Sequence, residues 1–378
     1  MQKNKIIGFG VLVLVVIALL FVFQTPKNKE TIKIGGLSAL TGVGAAIGEE
    51  ERKGMLLAVE EINAKGGIRG QKIELVSEDL SLDKIKQAVT VTQKLINTDK
   101  VVAIVGPQWD EPAGPILPII EAAKVPMVGA DNSDQLEKDT NYEYFFSTWY
   151  DNRVGVREIL RYADKNNIRK ITIIKLLSAG FWEFTAQSMI QDASKYNVQI
   201  ADVIDLGNPL ELDFRTVLLK ASQSKPDAIF IVTSDYNQCV FLKQKKELGI
   251  NIQTFGTESS GDGVSLKNCP DLMSERLWSA PKESNEYKDF QSRFEKRFGE
   301  KPKFPSAANA YDSVMVIAEG LKKTKGTGNE ALRNAIAETK IKGVSLEDIS
   351  FNEKGFVKTP EDTFIMKTSS SGNIIDVQ

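Results

Sequence analysis

Short apolar runs alternate along the chain with stretches whose apolar residues recur at helical spacing, and this alternation predicts an α/β protein. Ile32–Leu37 reads as a strand, Thr41–Gly48 as a Gly-rich loop, and Met55, Leu56, Ala58, Val59 and Ile62 lay a stripe along a helix that Gly66 and Gly67 end. Lys72–Ser77 alternates as a second strand, and Ile85, Ala88, Val89, Leu95 and Ile96 mark the next helix. Val101–Val105 and Val125–Val128 are continuous apolar runs, as in parallel strands covered on both faces, with helical spacing over Pro112–Ala123 between them. The βαβαβαβ pattern implies a doubly wound, mostly parallel sheet with right-handed crossovers.

A second series of the same kind begins after Phe145–Asp151. Strands are predicted at Lys170–Leu176, Gln199–Asp205, Ala228–Thr233 and Ile252–Gly256, and helices at Phe184–Tyr196, Phe214–Ser222 and Gln238–Leu248. Two successive α/β units suggest two similar lobes. From Ser284 the pattern is helical, over Tyr287–Phe298, Ala307–Lys323 and Asn329–Thr339, before a tail with short β-like pieces around Gly355 and Asn373.

The N-terminus changes this picture. Lys3 and Lys5 precede Ile6–Phe23, an uncharged run of 18 residues. As a helix it is about 27 Å long at ~1.5 Å per residue, close to the hydrocarbon thickness of a bilayer. It ends in Leu20-Phe21-Val22-Phe23 without a small-residue cleavage site, and no cysteine follows for lipidation. We therefore expect residues 1–30 to be a signal anchor and linker. Membrane contact is through residues 6–23 and the rest of the chain is outside, or in the periplasm if the segment is cleaved.

Composition removes several function classes. Lys plus Arg number 48 against 50 Asp plus Glu, with no basic excess of the kind nucleic-acid binding uses. Histidine is absent, which excludes His-dependent triads and His-ligated zinc. Cys239 and Cys269 form no CxxC pair; they are a disulfide or two buried thiols, and the rarity of single bridges in a large core favours thiols.

Candidate chemistry lies in loops. Gly42-Val43-Gly44-Ala45-Ala46-Ile47-Gly48, with Glu78 and Asp79 ending the second strand, resembles the layout of a dinucleotide-binding turn. Ser38–Thr41 separates the strand from the first glycine, so a loop entering a helix is the better reading, and a nucleotide-dependent oxidoreductase is kept as a rival. The serines and threonines lack a general base and a G-x-S-x-G setting, so no catalysis and no cofactor are expected. The loops after the strands' carboxyl ends are distinctive. Trp109, Asp110 and Glu111 follow Val105; Asp131, Asn132 and Asp134 follow Val128; Phe181 and Trp182 follow Leu176; Asp235 and Tyr236 follow Val232; Glu258 follows Phe255. Ligands of open α/β sheets bind at that edge. Asp110 serves equally as an N-cap for the helix at Pro112.

The chain also resembles a known family, the type I periplasmic binding proteins of branched-chain amino acid ABC transporters. The likeness covers roughly residues 31–378. Its motifs are Ile32–Leu37 with Leu40-Thr41-Gly42, Gly54–Gly70, Val101–Pro107, Leu212-Asp213-Phe214, Lys225–Phe230, Leu248-Gly249 and Ala310-Tyr311-Asp312. The resemblance implies two lobes joined by a hinge of three crossings, closing on a small-molecule solute and delivering it to a membrane permease, with the protein a monomer. It divides the chain into lobe 1 at 31–150 and 282–345 and lobe 2 at 151–281 with a C-terminal return at 346–378. By position it implies solute contacts from Asp110, Ala130, Asn132, Phe181 and Glu258. To these the strand-end reading adds Trp109, Asp131, Trp182 and Asp235. Two positions depart from the pattern: Asp110 stands where a hydroxyl is usual and Ile47 where a tyrosine is usual. A carboxylate repels a bound carboxylate. With Asp110, Asp131, Asp235 and Glu258 converging beside Trp109, Phe181 and Trp182, the expected solute is an amine, amide or other polar or cationic compound. A sensor that reports the solute to a receptor is the rival within binding proteins.

Overall fold

The structure is a computed structural model that describes residues 31–42, 44–81, 85–129, 142–177, 180–207, 213–233, 235–257, 269, 272–324, 328–370 and 373–377. The expected span at 6–23 lies outside them. Among the described residues no helix is long and apolar enough to cross a membrane.

The first lobe holds a five-stranded sheet of β1 (Ile32–Ser38), β2 (Ile73–Asp79), β3 (Ala103–Val105), β4 (Met127–Gly129) and β5 (Phe145–Ser147), in the order β2-β1-β3-β4-β5. Every pairing is parallel. Helices α1 (Ala45–Ala64), α2 (Ile85–Lys94) and α3 (Asp110–Ala123) connect the strands. β3 and β4 are three residues each and wholly buried, so helices must cover both faces of the sheet.

The second lobe is built from α4 (Asn152–Lys165), β6 (Lys170–Leu176), α5 (Phe181–Asp192), β7 (Gln199–Leu206), α6 (Arg215–Gln223), β8 (Ala228–Val232), α7 (Asp235–Glu247), β9 (Gln253–Gly256) and β10 (Arg276–Pro281). The chain then returns to the first lobe as α8 (Asn285–Phe298), α9 (Ser306–Lys323), α10 (Asn329–Ala337) and the small hairpin of β11 (Lys340–Lys342) and β12 (Asp348–Ser350). It ends with β13 (Phe364–Ser370) and β14 (Asn373–Asp376), which add antiparallel strands to the second sheet, ordered β14-β13-β10-β9-β8-β6-β7.

α9 seals the first lobe. Its apolar face packs on α1 where Gly54 lies so close to Ala307 that a Cβ there would overlap the Ala307 carbonyl oxygen. Asp312, fully buried on α9, accepts from the Val344 and Ser345 amides at 3.0 and 2.7 Å, which fixes the segment that follows β11. Two apolar clusters fill the first lobe on opposite sides of its sheet, and two fill the second.

The lobes are joined by three crossings among the described residues, after β5, after β10 and before β13. They are bonded to one another and to α9. The Asp151 amide donates to Thr359 Oγ1 at 2.8 Å, the Lys282 amide to the Thr363 carbonyl at 2.9 Å, and Asn309 Nδ2 to the Thr148 carbonyl at 3.0 Å. Tyr150 meets Phe364 edge to face at 5.2 Å between ring centres.

Cys239 and Cys269 form a disulfide, with Cα atoms 5.9 Å apart. This corrects the preference for thiols. The bridge ties α7 to the segment entering β10.

Candidate functional site

Strand order places the site. In the first sheet the order reverses between β1 and β3, and in the second between β6 and β8. A crevice opens beyond the carboxyl ends at such a reversal, because the following helices leave in opposite directions. β5 and β10 run from their carboxyl ends directly into the hinge. The carboxyl edges of both sheets, and with them both crevices, therefore face the space between the lobes.

On the first lobe the crevice is shaped by two glycines. A Cβ on Gly48 would overlap the Ala39 carbonyl oxygen, and one on Gly106, at φ +84°, would overlap that of Leu37. Helix α1 and the β3 loop thus close on the end of β1 from two sides. Asp79 holds the Gly-rich loop in place, accepting from the Leu40 amide at 2.9 Å, the Ser81 amide at 3.1 Å and the Thr41 hydroxyl. Burial would raise the pKa of Asp79, but these bonds outweigh it and hold the carboxyl below its usual range. The carboxylate that a dinucleotide turn would use for ribose is spent on its own loop.

Glu51, one turn into α1 beyond Gly48, is fully buried, and neither carboxyl oxygen has a hydrogen-bond partner. Ser38 Oγ and Trp109 Nε1 face it without closing a bond of normal geometry, and both are themselves buried and unpaired. Burial pushes the Glu51 carboxyl up to about 8, with the Ser38 hydroxyl and the Trp109 indole opposing it more weakly. The group is therefore mostly protonated at neutral pH. Gln108 adds two more buried, unpaired amide atoms. These donors and acceptors lie inside the lobe behind the crevice and carry almost no charge.

Trp109 stands at the N-cap position of α3 in extended backbone, and the helix starts at Asp110. This overturns the reading of Asp110 as N-cap. Proline at position 112 falls in the first turn, where its missing N–H costs no hydrogen bond.

On the second lobe Phe181 and Trp182 open α5 directly after β6, half-buried and edge to face with each other at 4.7 Å. Trp182 also packs on the lobe's core, while Phe181 belongs to neither core cluster. Beside them Lys175, on β6, pairs with Glu183 and with Asp205 at 2.7 Å. Burial works to lower its pKa, and the two carboxylates overcome that and raise it. Asp235 is the first residue of α7, directly after the β8 end; its side chain and that of Asp110 are not described. Ala130, Asp131, Asn132 and Glu258 lie outside the described residues.

Of the expected residues, the structure thus sets Trp109 at one crevice and Phe181 and Trp182 at the facing one. Glu51, Ser38 and Gln108 were not anticipated. Glu51 stands in the run Glu49-Glu50-Glu51, which reads as a solvated helix face, and only its spacing from Met55 and Ala58 marks it as inward.

Two α/β lobes, three hinge crossings and a crevice on each facing edge define the two-lobed binding-protein class. The family described as "Periplasmic binding protein" matches residues 31–373, and the chain belongs to it. A Leu-, Ile-, Val-, Thr- and Ala-binding protein of Pseudomonas aeruginosa is 25% identical over 333 residues, covering 87% of this chain and 88% of that one. The branched-chain amino acid transporter substrate-binding protein of Streptococcus pneumoniae, solved in complex with isoleucine, is 26% identical with a TM-score of 0.78, covering 92% of this chain and 100% of that one. A solute-binding protein of an ABC transporter from Rhodopseudomonas palustris, solved with 3,4-dihydroxybenzoic acid, shares the fold at a TM-score of 0.79 and 23% identity, over 92% of this chain and 96% of that one.

Proposed function

We propose that this chain is the extracytoplasmic solute receptor of an ABC transporter of the branched-chain amino acid type, taking a small polar solute between its lobes by hinge closure and handing it to a permease. The observation that carries the reading is the pair of strand-order reversals whose carboxyl edges face each other across the hinge. The amino acid ligands in the names of the Pseudomonas and Streptococcus proteins support the solute class.

The solute is held from the first lobe by Trp109, Asp110, Ala130, Asp131 and Asn132 and from the second by Phe181, Trp182, Asp235 and Glu258. The moving bodies are residues 31–150 with 282–345 and residues 151–281 with the C-terminal strands. Residues 6–23 anchor a monomer at the outer face of the cell membrane. No catalytic step is involved. The ligand acts by its higher affinity for the closed arrangement.

Four carboxylates and three aromatics select for a solute that is cationic, an amide, or amino acid-like with its ammonium toward Glu258. Calorimetric titration with leucine, a polyamine series and short amides tests this. Tight leucine binding that Asp110→Ala leaves unchanged would overturn the proposed selectivity, and no binding across a full solute panel would overturn the receptor reading.

A further inference from the structure

A cavity of about 310 Å³ lies beside the hinge, away from the two strand-order reversals. None of the residues after β1, β3, β4, β6, β8 or β9 lines it. Its walls come from both lobes: Trp278 and Ala280 on β10 and Lys367 on β13 face Tyr287 on α8 and Ala308 and Asn309 on α9. The space is large enough for a small organic molecule.

Its chemistry is specific in three respects. Tyr150, Trp278, Tyr287 and prolines 281, 302 and 305 make an apolar, largely aromatic interior. Four lysines, at 282, 301, 303 and 367, stand on the lining against one acid, Glu283. Glu300 takes up Lys303 at 2.7 Å, and Asp362, Glu283 and Asp376 stand off at 3.6 to 3.7 Å from Lys282 and Lys367. Lys301 has no ion pair among the described residues. Third, Asn309 is fully buried, its Nδ2 bonded to the Thr148 carbonyl and its Oδ1 without a partner. That oxygen exposes essentially no surface as the side chain now lies, so a ligand's donor reaches it only once the Asn309 amide turns toward the cavity, and the bond then satisfies an acceptor that is otherwise left open.

We propose that this cavity is a second binding site, for a small amphipathic carboxylate that also carries an N–H or O–H donor. The apolar body lies among Trp278, Tyr150 and Tyr287, the carboxylate reaches Lys301, and the donor meets Asn309 Oδ1. Because the walls belong to both lobes, occupancy depends on the angle between them, and the ligand biases hinge closure as an effector. The site stands on the cavity and does not depend on the identity of the transported solute.

The probe is 4-hydroxyphenylacetate, with tyramine as a cation of the same size and donor. Binding to the full-length protein is measured by saturation-transfer NMR and equilibrium dialysis. The acid is expected to bind, and tyramine at the same concentration is expected not to displace it, even where tyramine binds at the cleft between the strand-order reversals. Lys301→Glu, a surface change, weakens the acid at least fivefold, and Ala280→Trp, which fills the cavity, abolishes it. Thermal melts of both variants confirm folding, and Lys301→Glu alone suffices if Ala280→Trp unfolds. The proposal is overturned by no binding of the acid, by displacement of the acid by tyramine at equal concentration, or by acid binding that a folded variant leaves unchanged, the last placing the probe elsewhere.

Discussion

The Glu51 carboxyl and the Trp109 indole N–H face each other in the interior of the first lobe, each buried and neither closing a normal hydrogen bond. Residues far apart in sequence meet there because Gly48 and Gly106 let α1 and the β3 loop press on the same strand end.

The pairing sets a pH dependence. The folded pKa of Glu51 is raised from 4.5 to about 8, so its contribution to stability is fully present below pH 4.5 and is lost as pH rises through 8. Glu51→Gln keeps the shape without the ionisation. We expect the variant to match the wild type near pH 4 and to be more stable by a few kcal/mol above pH 8, from a shift of several units at ~1.4 kcal/mol each. Urea denaturation at pH 4, 6 and 8.5 measures this, and parallel curves at all three would refute it.

Close helix packing makes a second prediction. A methyl group at Gly54 would collide with backbone at Ala307, which no side-chain rotation relieves. Gly54→Ala is expected to lower stability by about 1–3 kcal/mol, despite the better helix propensity of alanine. Gly114, with open space at its Cβ position, is the control and should be neutral or stabilised by alanine. Thermal melts of both variants compare them.

The disulfide spans 30 residues of sequence. Closing a loop of that size restricts the unfolded chain by about 3–4 kcal/mol in the loop-entropy account. Reduction, or Cys239→Ser with Cys269→Ser, should lower the melting temperature by several degrees without changing the far-UV spectrum. An unchanged melting temperature counts against the bridge.

Solute affinity gives a fourth. Phe181 belongs to neither core cluster, whereas Trp182 is packed on the lobe's core. Phe181→Ala should weaken the solute at least tenfold, about 1.4 kcal/mol, with little change in melting temperature. Trp182→Ala should reduce both. Calorimetry beside thermal melts separates the two, and a Phe181→Ala protein with wild-type affinity would remove that residue from the proposed site.

The first lobe was legible because β3 and β4 lie in continuous apolar runs, β2 alternates and the helices carry clean stripes. Lys170–Leu176 has the same bounds in sequence and structure, although it contains Thr172 and Lys175. β10 went unseen because Arg276 begins it; the guanidinium is fully buried, held by Gln238 and set over the Trp278 ring at 5.3 Å, partners that no local pattern reveals. β13 was hidden for a related reason, whereas the β-like piece expected around Asn373 is β14. β13 mixes lysine, serine and threonine with its apolar residues, and its place in the sheet, between β10 and β14, depends on both neighbours. The disulfide and Glu51 share this dependence on distant parts of the chain. Trp109, Phe181 and Trp182 were readable as strand-end residues because topology alone fixes where such residues lie.

Three crossings side by side, cross-bonded through Thr359, Thr363 and Asn309, behave as a door hung on several knuckles. One strand would let the lobes swivel, twist and slide, and thermal motion would spread over all of these. Three leave a single swing axis. Closure about that axis would keep the lobes in register, so that a surface reading both lobes at once would meet them in one relative alignment.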